Sequence, residues 1–387
     1  MLRLGRFEPM ILKFEYRGAS QDPWIFESSK HFGKINLLVG ASGAGKSRFL
    51  NALFNLSNVL SHGQRFSGGN WNIEAIIEEF TYKWNLELDN TDSLNAYISN
   101  ETLLIKSKNG DENLVISRNN NEFLFQNQKL PRMQKDISSV SLLKEEPIMQ
   151  PFYNMFSHIK RRLFYDAGLR DGMAYEELPL KLLEKIKRDN SIELIWKNEL
   201  TVNVVMYVLK DIFPDLYTIA TKYFMQIFPF IQECDVQIHK SPLLKPSADS
   251  IIPAFVVKDK GVTKWINLSE LSSGMQKVLL IICDILTLPK GSTYLIDEYE
   301  NSLGINAIDF LPDFLMNHSA VDSQFFIITH HPYLINRMPM NNWKVFHRQG
   351  SIVTIKDGSE FIDKYGKSKQ KAFIQLMNDP FYTGETI

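Results

Sequence analysis

A chain of 387 residues with 44% hydrophobic content is long enough for one large or two medium domains around a sizeable core. Its 43 basic and 44 acidic residues leave a net charge of −1, which excludes an overall field drawing in nucleic acid or an anionic membrane but leaves room for local basic patches. Two cysteines, Cys234 and Cys283, are too few and too far apart for a disulfide framework or a metal-ligand spacing. No apolar run reaches membrane-spanning length, so the expected setting is cytoplasmic and membrane-free.

Residues 1–7 carry two arginines but no continuous apolar stretch, so they do not read as a signal peptide. Residues 10–18 alternate with period two and residues 24–27 repeat the pattern after a turn-rich gap, which predicts a hairpin. An apolar strand at 34–39 then runs into Gly40-Ala41-Ser42-Gly43-Ala44-Gly45-Lys46-Ser47. That run fits the phosphate-loop pattern G-x-x-x-x-G-K-[ST] at every specified position, and helical spacing follows from Arg48 to Phe54. Glycines let the backbone N–H groups curl inward, and the helix start adds unpaired donors and a positive dipole end, so an anion is favoured there. A nucleotide triphosphate is therefore expected against Gly40, Ser42, Gly43, Ala44, Gly45, Lys46, Ser47 and Arg48. Lys46 would reach the outer phosphates and the Ser47 hydroxyl would help hold Mg²⁺.

A glycine- and serine-rich stretch at 61–70 reads as a surface loop, with His62 and Arg65 solvated. Residues 80–88, 102–106, 114–118 and 122–126 alternate between hairpin-type turns, predicting an antiparallel meander inserted into an otherwise parallel sheet. From Ser138 the spacing is helical through Arg162, residues 163–166 read as a return to the main sheet, and 175–231 read as helices broken at Pro179, Pro214 and Pro229. A strand pair is expected at 252–258 and 263–267, and no sustained heptad suggests a coiled coil.

A second cluster of chemistry begins at Leu268. Ser272, Ser273 and Gly274 precede an apolar helix, a good N-cap taken alone and also an anion site. Residues 292–298 form an apolar strand ending in Asp297 and Glu298, where a metal ligand and a general base are needed beside a phosphate loop. Residues 324–330 form another strand, ending at His330, placed to contact a γ-phosphate or order the attacking water. A closing hairpin is expected across residues 348–350. The lysines Lys367, Lys369 and Lys371 read either as a solvated helix face or as a nucleic-acid contact.

The set GASGAGKS, LSSGMQK, YLIDEYENSLG and FIITHHP, in that order, resembles the ABC-type ATPase heads of the RecF, SMC and OLD-like group. It is especially similar to the short stand-alone ATPases of bacterial anti-phage systems such as Septu, PARIS and some retrons. The resemblance implies an α/β fold: a P-loop ABC-type ATPase head with an inserted antiparallel β-meander and a helical lobe. As a single head it divides into an N-terminal ATP-binding lobe (1–71), a β insertion (72–135), a mainly helical lobe (136–250) and a C-terminal ATP-binding lobe (251–387).

The resemblance also implies ATP and Mg²⁺ as cofactors. Ser272 and Gly274 would cross to the nucleotide of a second copy in a head-to-head homodimer or higher homo-oligomer. Asp297 and Ser47 would serve the metal, Glu298 would be the base, residues 301–303 a dimer-contacting loop, and His330 the switch histidine. The chain departs from the pattern at Gly304-Ile305, where the group has histidine and proline, and at Met275, where it often has an acid. The Q-loop equivalent is expected near residues 166–170, where Arg170 either binds phosphate or partner or caps a turn.

About fifty residues follow the last motif, too few for an appended nuclease, so an effector such as a nuclease or toxin is expected on another chain. The leading expectation is an ATP-hydrolysing switch in anti-phage defence. The alternatives are a RecF-like repair ATPase acting on DNA and an ATP-dependent scaffold with little turnover.

Overall fold

The computed structural model describes residues 9–19, 23–28, 31–63, 68–89, 96–163, 175–239, 246–300, 303–308, 310–318, 323–365 and 369–383. The chain opens with β1 (Met10–Arg17) and β2 (Ile25–Ser28), an antiparallel pair, then β3 (Ile35–Val39) and the phosphate-loop helix Lys46–His62. β4 (Asn70–Ile77), β5 (Phe80–Asp89), β6 (Tyr97–Lys106), β7 (Glu112–Asn119), β8 (Phe123–Phe125) and β9 (Gln128–Lys129) follow. Helices Ser139–Leu142 and Gln150–Ser157 lead to β10 (Ile159–Leu163).

The middle of the chain holds β11 (Leu178–Pro179) and helices Leu180–Asp189, Glu193–Lys197, Val202–Ile212 and Pro214–Ile227. β12 (Ile231–Ile238), β13 (Ser250–Ile251), β14 (Pro253–Asp259), β15 (Ile266–Asn267) and helix Ser273–Thr287 come next. Last are β16 (Thr293–Asp297), helices Ile305–Ile308 and Phe310–His318, β17 (Gln324–Ile328), helix Pro332–Arg337, β18 (Trp343–Gln349) and β19 (Ile352–Asp357), with short helices beyond.

The chain divides into two compact units, one of Met1–Arg162, Gly291–Glu298 and Asp322–Ile387, the other of Leu163–Lys290 and Tyr299–Val321. The first is built on a 14-stranded sheet in the order β10-β16-β17-β3-β18-β19-β2-β1-β4-β5-β6-β7-β8-β9. β16, β17, β3 and β18 run parallel, and β3 and β16 are buried along their whole length, as a covered parallel sheet requires. From β1 to β9 the ladder is antiparallel, so the meander extends the main sheet rather than standing apart from it. Trp71, Ile73, Ala75 and Ile77 on β4 and Tyr82, Trp84, Leu86 and Leu88 on β5 alternate inward. The phosphate-loop helix adds Phe49, Leu50, Leu53, Leu56 and Leu60 at helical spacing to the same core.

The segment read as helical through Arg162 breaks at Ser157. Ile159–Leu163 is a strand beside β16, with the Thr293 amide donating to the His158 carbonyl at 3.0 Å. The return to the sheet therefore begins four residues earlier than the spacing suggested, and residues 164–166 lie outside the described ones.

In the second unit, helices Val202–Ile212 and Pro214–Ile227 pack with helix Ser273–Thr287, and β12, β14 and β15 form a small antiparallel sheet. Pro214 opens its helix at the first position, and the buried Asn203 side chain accepts from the Phe255 amide at 2.8 Å. Helix Ser273–Thr287 is buried nearly all round, which its run of apolar residues after Lys277 dictates. Among the described residues no helix is long and apolar enough to cross a membrane. Cys234 and Cys283 are both free thiols.

Candidate functional site

The parallel strands of the first unit bring their C-terminal ends to one edge. Ile296 lies opposite Ile327 and Ile327 opposite Leu37, so Asp297, Thr329 and Gly40 leave the sheet almost in register. Open α/β sheets bind ligands along that edge. Gly40 starts the phosphate loop where β18 crowds it: a Cβ there would come within 2.7 Å of the Phe346 carbonyl oxygen. Gly45 has φ of 96° and precedes the helix with no side-chain cap, leaving the first helical amides to the loop.

Lys46 is only 4% exposed and donates to the carbonyls of Gly40 (2.7 Å) and Ala41 (2.9 Å). A buried ammonium needs such partners, and these two carbonyls hold it across the mouth of the loop. Ser42, Gly43, Ser47 and Arg48 are exposed around it, and Ala44 is buried. Arg348 donates to the Gly43 carbonyl at 3.2 Å, and its guanidinium lies 4.3 Å from the Trp24 ring, which Arg48 also approaches at 4.4 Å. Local spacing does not bring Trp24, just ahead of β2, or Arg348 on β18 to the loop, because both strands reach it only through long-range pairing.

Asp297 ends β16. The Ser47 hydroxyl donates to its Oδ1 at 3.2 Å, joining residues 250 positions apart. Its Oδ2 accepts from Arg161 Nη2 at 3.2 Å, and Arg161 Nη1 donates to the Asn51 side chain of the phosphate-loop helix. The side chains of Arg161 and Asp297 are 11% and 10% exposed, so this pair is held out of bulk water. Arg161 escaped the sequence reading because its segment reads as helix; β10 is what carries it to the site.

A hydroxyl and a carboxylate side by side are hard oxygen donors of the kind Mg²⁺ takes. No described residues form a group of three or more His, Cys, Asp or Glu able to hold a metal. A metal here would draw its remaining ligands from phosphate and water, as Mg²⁺ ordinarily does, and the residues fit that role.

Glu298 follows Asp297 with φ of 51°, a left-handed backbone unusual for a side chain of its size, and is exposed. His330 is exposed just beyond β17, and the Thr329 hydroxyl accepts from the His331 amide at 3.1 Å. In the second unit, Ser272 caps helix Ser273–Thr287, its hydroxyl accepting from the Met275 amide at 3.4 Å. Ser272 and Ser273 are exposed and Gly274 is partly so. Gln276 donates to the carbonyls of Leu268 (2.9 Å) and Leu271 (3.1 Å), clasping the turn before the helix. Thus Lys46, Ser47 and Asp297 come together within one unit, and Ser272 and Ser273 belong to the other. Arg65, residues 166–170, Asn301, Ser302 and Lys367 lie outside the described residues, as do the side chains of Lys369 and Lys371.

The sequence model of the family described as "AAA domain, putative AbiEii toxin, Type IV TA system" matches residues 35–336. The chain belongs to that family. It carries that family's AAA domain, a P-loop ATPase domain, and the matched stretch runs from the strand before the phosphate loop to just past His330 and His331. No curated protein matches the sequence.

Among solved structures, an Smc head bound to the C-winged helix domain of ScpA is 14% identical at a TM-score of 0.49, over 89% of this chain and 96% of that one. An Smc head with an extended coiled coil, bound to the C-terminal domain of ScpA derived from Pyrococcus furiosus, is 13% identical at a TM-score of 0.46, over 90% and 96%. The SMC head domain from Thermotoga maritima is 12% identical at a TM-score of 0.40, over 91% and 98%.

Proposed function

We propose that this family member is an ATP-hydrolysing switch. It binds ATP with Mg²⁺ at the phosphate loop, closes head to head on a second copy, and through closure controls a separately encoded nuclease or toxin in anti-phage defence. The observation that carries the reading is the 3.2 Å meeting of Ser47 with Asp297 beside the buried Lys46.

In this reading Lys46 exchanges the Gly40 and Ala41 carbonyls for outer phosphate oxygens. Gly40, Ser42, Gly43, Ala44, Gly45 and Arg48 surround the phosphates, and Ser47 and Asp297 hold the metal. When bound, Mg²⁺ shields phosphate charge and polarises the γ-phosphoryl group. Glu298 takes the proton of the attacking water, and His330 contacts the γ-phosphate or orders that water. Ser272, Ser273 and Gly274 offer a helix N-terminus to the nucleotide of the second copy. The exposure of both serines supports that role. The type IV TA system in the family's description, in which the AAA domain itself is a putative toxin, supports a function exercised together with a second component.

Glu298→Gln tests the reading. It should bind ATP as the wild type does, turn it over at least about 100-fold more slowly, and accumulate as an ATP-dependent dimer in light scattering. Unchanged turnover would remove Glu298 as the base, and a monomer at saturating ATP in both proteins would remove the head-to-head closure.

A further inference from the structure

Asp297 already carries a cation. Its Oδ2 faces Arg161 at 3.2 Å while its Oδ1 faces the Ser47 hydroxyl. We infer that Arg161 is a charge gate on Asp297: its guanidinium keeps divalent cations off the carboxylate until the phosphates of a nucleotide are in place, so that metal enters with the nucleotide and not before it. This rests on the reading of Asp297 as the metal-side acid.

Charge around the carboxylate supplies the first support. The nearly buried Arg161 guanidinium stands 3.2 Å from the nearly buried Asp297, whose other oxygen meets Ser47 in the first turn of helix Lys46–His62, at that helix's positive end, and the neighbouring Glu298 is exposed to solvent. A divalent cation arriving alone beside Oδ1 would meet the fixed charge of Arg161 and the positive helix end with little water between them. A triphosphate brings several negative charges into the same space and reverses that balance. Metal binding then becomes favourable only in company.

The second support is how firmly the guanidinium is held. Nη1 is engaged by Asn51 on the phosphate-loop helix and Nη2 by Asp297 on β16, whereas Nε is buried without a hydrogen-bond partner. A planar fork tied to two elements does not swing aside as a lysine would. The carboxylate is thereby divided, with one oxygen committed to Arg161 and the other turned to the hydroxyl that would share the metal. Arg161 acts through Asp297 and is a positioning residue.

The test is a Mn²⁺ titration of the nucleotide-free protein, following free Mn²⁺ by electron paramagnetic resonance. The wild type should bind Mn²⁺ weakly, while Arg161→Gln and Arg161→Ala should each bind it at least about tenfold more tightly without nucleotide, because a fixed like charge has gone. Arg161→Lys, which keeps the charge on a stem able to swing aside, should fall between the wild type and Arg161→Gln, and adding Asp297→Asn to Arg161→Gln should erase the gain. ATP binding in excess chelator checks that the variants keep an intact phosphate loop.

Mn²⁺ affinities of Arg161→Gln and Arg161→Ala no higher than wild type would overturn the gate, as would a gain that survives Asp297→Asn. Failure of the wild type to bind ATP with Mg²⁺ is a separate readout and would sink the functional reading itself.

Discussion

Two arginine–carboxylate pairs among the described residues of the first unit, Arg118–Glu101 and Arg161–Asp297, are finished differently. Glu101 on β6 is fully buried and accepts from Trp84 Nε1 (3.1 Å), the Ser138 hydroxyl (2.6 Å), and the Ser139 amide (2.9 Å) and hydroxyl (2.7 Å). Arg118 stands 3.6 Å away and gives its other hydrogens to the carbonyls of Ile137 and Gln134. Burial pulls the Arg118 guanidinium below its ordinary pKa, and Glu101 offsets part of that pull. Asp297, by contrast, has Arg161 on one oxygen and only a hydroxyl, itself able to turn away, on the other. A carboxylate whose lone pairs are all taken by the protein is a structural post. One with capacity left, at the edge where parallel strands end, is a place for something to bind.

Stability separates the two most sharply. Glu101→Ala removes the anion around which a buried arginine, two serines and an indole are arranged. It should cost about 3–5 kcal/mol in denaturant unfolding, and a loss below about 1 kcal/mol would break the contrast. Asp297→Asn keeps an oxygen for one of its two donors and should cost only about 1 kcal/mol, while Mg²⁺-dependent ATP turnover falls to background. Ser47→Ala should be smallest, within about 0.5 kcal/mol of wild type, because the hydroxyl is exposed. Its effect should appear instead as an affinity for Mg²⁺-ATP about tenfold lower, equivalent to ~1.4 kcal/mol, with metal-free ATP binding unchanged in calorimetry. If Ser47→Ala unfolded as readily as Glu101→Ala, the site's hydroxyl would be structural and the comparison would fail.

The local elements were legible because turns, caps and strand ends are written in contiguous residues. The loop from Gly40 to Ser47, the N-cap at Ser272 and the acid ending β16 each depend on local backbone geometry and stand in the structure where their spacing put them. What escaped depends on pairing between distant segments. Phe152, Met155, Phe156 and Ile159 recur at helical spacing and are all buried, yet Ile159 belongs to a strand, because β16 offers it a ladder that local spacing does not express. Arg161 was lost with it. The strand Asn70–Ile77 was hidden behind a glycine-rich approach, although Trp71, Ile73, Ala75 and Ile77 alternate inward. The Glu101 cage draws on residues 84, 118, 138 and 139, whose common destination no single window reveals.

The left-handed backbone at Glu298 stands at the last residue of the first unit's middle segment, and Tyr299 is the first residue of the second. Tyr299 is fully buried, donates its hydroxyl to the Ala307 carbonyl at 2.9 Å, and has the ammonium of Lys277, from helix Ser273–Thr287, 5.9 Å from its ring. A non-glycine residue held this way stores roughly 1–3 kcal/mol. A β-branched substitute at position 298 would add to that cost, whereas Glu298→Gly would relieve it.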